Sequence, residues 1–185
     1  MSRYSNHHQF RATAGAVLDA AETWLWSELD TLDVTRLPLA GSAAHLEQLD
    51  TLPEDQLWRG WVVAAEPDGW TVLWGTWGGD DEALVLDVAR DLGCDALYGH
   101  HNDQVDNWRW IRIFAGRPRD QYWYTGQAWY RWSDLPAEAM TPWQACASMG
   151  RSYAHESFVS AHARLVHEGR AGDAHVLTHV FAARR

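Results

Sequence analysis

The chain contains no lysine, so all 15 of its basic residues are arginine. That absence excludes a P-loop lysine, a Schiff-base lysine and a kinase-type ATP lysine. Cysteine is scarce too. Cys94 and Cys146 fit no Cys-x-x-Cys metal or redox spacing, and each reads as a small buried apolar residue. The longest uncharged apolar runs, such as Trp61 to Ala65, fall far short of the roughly 20 residues that a bilayer helix requires. The opening "MSRYSNHHQFRATAGAVLDAAETW" has no basic-then-apolar signal layout, so a reducing cytoplasm and no membrane contact are the expectation. No Gly-x-Gly-x-x-Gly occurs, and "GTWGGDDE" places two aspartates where a phosphate would sit, which argues against nucleotide binding. No Gly-x-Ser-x-Gly elbow is present either, and nucleophilic catalysis has little support.

What is there points to one domain spanning residues 1–185, with 46% hydrophobic residues to fill its core. The formal charge of −10 disfavours contact with nucleic acid, whose phosphates call for clustered cations. A basic protein partner suits it better. Thirteen tryptophans are several times ordinary usage, and such side chains fill cores, stack on sugars or anchor interfaces.

Residues 9–30 place Phe10, Ala14, Val17, Leu18, Ala21, Leu25 and Leu29 at helical spacing, so an amphipathic helix is expected there. A connector with a short Ser42-capped helical pattern follows. Residues 57–65 and 70–77 read as two strands reversed by "EPDG", a β-hairpin. "GGDDEALVLDVARDLG" reads as a helix with acidic residues in its first turn and Gly93 to stop it. Then come a strand at "CDALYGH", the polar turn "HNDQVDN", a strand at "WRWIRIFAG", the turn "GRPRD" and a strand at "QYWYTG". From Trp129 a loop with helical fragments is expected, then helix formers over 144–168, then a closing strand in "DAHVLTHVFAARR". The fold class is therefore α+β: an antiparallel sheet with core order β-β-α-β-β-β, packed against N- and C-terminal helices.

Strand parity sets Trp108, Trp110, Arg112 and Phe114 on one face and Arg109, Ile111 and Ile113 on the other. A face rich in Trp, Tyr and Arg is what a hot-spot surface requires, while helices covering both faces would make the tryptophans core. "YGHHNDQVDNWRW" gathers His100, His101, Asp103 and Asp106, the residue types that ligate zinc or non-haem iron. Adjacent His100 and His101 face opposite sides of a strand, however, and a polar turn is the simpler reading. His155 and His162, seven apart on the expected C-terminal helix, are a second metal candidate, with His175 and His179 sharing a parity on the closing strand. Neither set has a known metalloprotease spacing, and no metal or other cofactor is expected.

The pieces "GWTVLWG", "DDEALVLDVARDLG", "ALYGHHNDQVDNWRWIRIFAG" and "RPRDQYWYTG" make residues 58–125 resemble small bacterial α+β proteins, some of them immunity proteins that antagonise toxins. The resemblance implies a binding role without chemistry. The expected function is recognition of a basic partner, steered by Asp80, Asp81, Asp103 and Asp106 and anchored by Trp108, Trp110, Tyr124 and Arg112. Two rivals are a metal-dependent hydrolase built on the His and Asp clusters and a carbohydrate or small-ligand binder using exposed tryptophans.

Overall fold

Thr13 decides where the first helix begins. Its hydroxyl accepts a hydrogen bond from the Ala16 amide at 3.3 Å, and its carbonyl accepts from Val17 at 3.0 Å, the geometry of an N-cap. Helix α1 (Ala14–Asp30) therefore starts four residues after Phe10, and the residues before it are extended as strand β1 (Tyr4–Phe10). The helix expected from residue 9 is thus shortened. Phe10 keeps its core role, fully buried at the end of the strand.

The computed structural model describes residues 4–30, 34–37, 56–75, 81–102, 107–125, 129–131, 141–153, 156, 158–170 and 174–183. After α1 come β2 (Val34–Leu37), β3 (Gln56–Ala65), β4 (Thr71–Gly75), α2 (Glu82–Leu92), β5 (Ala96–Asn102), β6 (Asn107–Phe114), β7 (Arg117–Thr125) and β8 (Trp129–Arg131). The chain ends with α3 (Pro142–Ser148), α4 (Phe158–His167) and β9 (Ala174–Ala183). The Ser42-capped pattern lies outside the described residues. The expected β-β-α-β-β-β core is present as β3 to β7 around α2, and the closing strand is β9. The expected C-terminal helical stretch is split in two: Gly150 adopts φ +72°, and the Arg151 amide returns to the Cys146 carbonyl at 2.8 Å.

The nine described strands form one sheet in the order β2-β9-β3-β4-β1-β5-β6-β7-β8, with every neighbouring pair antiparallel. β4 and β5 both flank β1, so they run parallel to each other and are joined by α2 across it. In the same way β1 and β3 flank β4 and are connected through α1. These two interleaved split β-α-β units give β1, α1, β3, β4, α2 and β5 the ferredoxin-like arrangement. β9 and β2 extend one edge; β6, β7 and β8 extend the other. The fold is α+β with helices on both faces.

One face meets α1 and α2. There Phe10, Trp61, Val63, Leu73, Ala96, Tyr98, Ile111 and Ile113 pack against Val17, Ala21 and Leu25 of α1 and Leu84, Val85 and Val88 of α2. The opposite face carries Leu97 and Trp110 beneath Ala145 and Cys146 of α3, with Tyr153 beside them. Parity on β3, β4, β5 and β6 assigns these residues to the two faces without exception, because alternate side chains point to opposite sides. Among the described residues no helix is long and apolar enough to cross a membrane.

β6 and β7 are joined by Ala115 and Gly116, which have φ +48° and +73°. Positive φ at both central positions is the requirement of a type I′ hairpin, which favours Asn-Gly. The turn thus precedes Arg117, and β7 begins earlier than "GRPRD" suggested. Pro118 is accommodated because the β6–β7 register shifts between Arg112 and Ile113. A Cβ on Gly116 would lie 2.8 Å from the Ala89 carbonyl oxygen and 2.8 Å from Arg90 Cα, backbone atoms of α2 that cannot yield cheaply. Replacing Ala115 by Asn should raise the unfolding free energy by about 0.5–1 kcal/mol, and Gly116→Ala should lower it by more than about 1 kcal/mol. Urea unfolding of the two variants against the parent checks both signs.

Candidate functional site

The central strand is polar where a central strand is usually apolar. Asn6, His7, His8 and Gln9 of β1 are each at most 2% exposed. Burying such groups costs about 1–3 kcal/mol apiece when they are left unpaired, so their partners define the site.

On the α1/α2 face, His8 Nδ1 accepts from the Gly99 amide at 3.3 Å, which leaves the imidazole proton on Nε2, 3.4 Å from Asp81 Oδ2. Both groups are buried, and the His8 ring stacks on Tyr98 with centroids 5.0 Å apart. Asp81 is the N-cap residue of α2, yet its carboxylate makes no cap hydrogen bond and turns inward to His8. A Cβ on Gly75 would collide with that carboxylate, so the absence of a side chain on Gly75 makes the room Asp81 occupies. Asn6 Oδ1 bonds to His100 Nδ1 on the same face. Arg109, further along that face, is ion-paired with Glu82.

On the α3/α4 face, the Gln9 amide donates to the Ser152 carbonyl at 2.9 Å, and its oxygen accepts from Arg151 Nε at 2.6 Å. Arg151 is ion-paired with Asp68 and lies over the Trp70 ring, 5.3 Å from its centroid. His7 stacks on Trp74, its cross-strand neighbour, at 5.7 Å and meets Tyr153 edge-on at 5.2 Å. Arg164 covers Trp74 at 5.6 Å and is held by Glu156 and Glu168, which raise its pKa.

From there an aromatic run leads to the surface. Tyr153 contacts Trp143 at 5.8 Å and Trp108 at 6.2 Å, Trp108 and Trp143 lie 5.2 Å apart, and His101 stacks on Trp108 at 3.5 Å. Trp143 is 50% exposed. It follows Pro142 at the start of α3, where Thr141 and Gln144 form a reciprocal capping box that fixes the helix end. Gly99 completes the arrangement: a Cβ there would lie 2.8 Å from the His7 carbonyl oxygen and 2.9 Å from Tyr153 Cε2. Tyr153 occupies the space that a side chain would fill.

The expected site residues are placed as follows. Trp108 and Trp110 share a face as parity required, but Trp110 is fully buried among Leu97, Ala145 and Cys146 and presents no surface to solvent. Trp61 and Trp74 are likewise core. Arg112 Nε donates to Asp120 at 2.8 Å and Nη1 donates to the Ser148 hydroxyl at 2.8 Å, so it ties β6 to β7 and α3. Asp81 is buried and cannot steer a partner. The Tyr124 backbone pairs with Trp108, while its side chain, together with Asp80, Asp103, Asp106 and His155, lies outside the described residues. His100 and His101 do face opposite sides, one bonded to Asn6 and the other stacked on Trp108. His162 is half-buried on α4. Among the described residues no group of three His, Cys, Asp or Glu side chains could hold a metal ion.

Sequence reasoning missed Asn6, His7, His8 and Gln9 altogether, and with them Trp143, Arg151, Tyr153 and Arg164. A polar strand carries no period-2 hydrophobic signal. The one usable clue was Thr13, a capping residue that ends any strand-to-helix ambiguity just after Phe10.

Both His8 nitrogens are engaged. Burial, assisted by His8, Arg151 and Arg164, pushes the His7 pKa from 6.5 down to about 3, and burial pushes the Cys146 thiol up to about 12. No protein-family model matches this chain, and no curated protein or solved structure matches it.

Two outcomes are expected. The unfolded chain binds a proton at His7 that the folded chain refuses, so His7's contribution is complete above pH 6.5 and is lost as pH falls from 6.5 toward 3. Acidification from about pH 7.5 to about pH 5.5 should cost about 1.4 kcal/mol more in the parent than in His7→Phe, read from urea unfolding at the two pH values. Gly99→Ala should destabilise by about 1–3 kcal/mol, because the clash involves the β1 backbone as well as Tyr153.

Proposed function

We propose that the protein works by binding, and that it takes a basic protein partner at the surface built from Trp143, Trp108 and Tyr153. The observation that carries this reading is Trp143. A tryptophan 50% exposed, on a capped helix start and backed by two further aromatic rings, has the composition and rigidity of an interface anchor. Trp108 and Tyr153 support it from behind, and Arg112 keeps α3 against the sheet. The net charge of −10 favours a cationic partner and would speed its approach.

The chain's own packing uses the complementary contact, with Arg151 over Trp70 and Arg164 over Trp74. A partner's arginine or lysine on Trp143 would repeat it. The bacterial immunity-like resemblance of residues 58–125 fits an antagonist that blocks a toxin sterically, and two free buried cysteines suit a reducing compartment such as the cytoplasm.

Tagged protein recovered from its native cells should carry a stoichiometric basic protein, identifiable by mass spectrometry. Trp143→Ala should weaken that complex by about 30-fold or more with little change in folding stability. Recovery of no partner at low salt, or equal affinity in the variant, would contradict the proposal.

A further inference from the structure

The buried polar atoms without a hydrogen-bond partner include His7 Nδ1 and Trp74 Nε1. Their residues are 2% and 1% exposed, so bulk solvent does not serve them. They are not scattered. His7 and Trp74 are directly paired across β1 and β4, project from the same face, and stack with centroids 5.7 Å apart and planes 19° from parallel. Buried polar groups are almost always satisfied, and a pair left over on adjacent strands calls for a shared guest.

The chemistry restricts that guest. An indole N–H only donates, so the guest must accept from Trp74. With the His7 ring proton on Nε2, Nδ1 accepts, and the guest donates to it. Arg151 and Arg164 both bear electrostatically on His7, but each is already matched by carboxylates, Asp68 for one and Glu156 with Glu168 for the other. The surroundings therefore give no excess charge to hold an anion. A single water molecule accepts once and donates once, which meets both demands.

We infer that His7 Nδ1 and Trp74 Nε1 together bind one internal water molecule, which joins β1 to β4 through their side chains on the α3/α4 face. The water accepts the Trp74 indole proton and donates to His7, fixing the tautomer with Nδ1 unprotonated. It also gives His7 a reason to be histidine at a site where its charge is excluded.

The experiment uses the full-length protein labelled with 15N, with the Trp74 indole resonance assigned by its disappearance in Trp74→Phe. In the parent, that indole proton should show cross-relaxation with water of the sign given by a long-lived internal molecule. In His7→Phe, where the second anchor is gone, the signal should fall at least several-fold. No water contact at the indole proton of the parent, or an undiminished signal in His7→Phe, overturns the site. Should His7→Phe fail to fold, a crystal structure of the parent at a resolution that shows ordered water decides: density within hydrogen-bond distance of both nitrogens supports the inference, and a dry contact refutes it.

Discussion

The two hydrogen-bonded ladders that β1 makes, with β4 on one side and β5 on the other, hold the halves of this molecule together. Without β1 the sheet falls into two blocks, β2-β9-β3-β4 and β5-β6-β7-β8, with no hydrogen-bonded ladder between them among the described strands. The register is specific on both sides: His7 lies opposite Trp74 and His8 opposite Leu73, while Asn6 lies opposite His100 and Gln9 opposite Leu97. A slip of one residue would exchange the two faces, putting His7 against Asp81 and His8 among the tryptophans. The polar side chains thus fix the register more tightly than an apolar strand could.

The same strand connects the interior to the surface. Gln9 reaches Arg151 and Ser152, which set the chain just before Tyr153. Tyr153 settles over Gly99 and against His7, and it also meets Trp108 and Trp143. Helix α3 contributes its own constraint through the Thr141–Gln144 capping box. At the proposed interface, a side chain held this way would lose little freedom on binding, which is what makes a rigid aromatic effective there.

Much of the fold was legible in the chain. β3 to β7 with α2 followed from alternation, from the Pro and Gly of "EPDG", and from Gly93 closing the helix with φ +58°. β1 was not legible, because Asn6, His7, His8 and Gln9 show no hydrophobic alternation and their pairing partners lie far along the chain. Missing β1 hid the ferredoxin-like order. The site was legible only at its edge: parity put Trp108 and Trp110 on one face, but parity cannot say which of two neighbours a helix covers. α3 covers Trp110, while Trp108 stays half-buried. Local pattern sees periodicity; it does not see a glycine such as Gly99 whose missing side chain is another residue's place.

Native-state hydrogen exchange tests the central role of β1 most directly. If β1 is the strand on which both halves depend, the amides of His7, His8 and Gln9 exchange only through global unfolding, with protection equal to that of the slowest amides of β4 and β5. Exchange of those amides through local opening, at a free energy well below the global value, would show that the sheet survives without its central strand and would contradict the account.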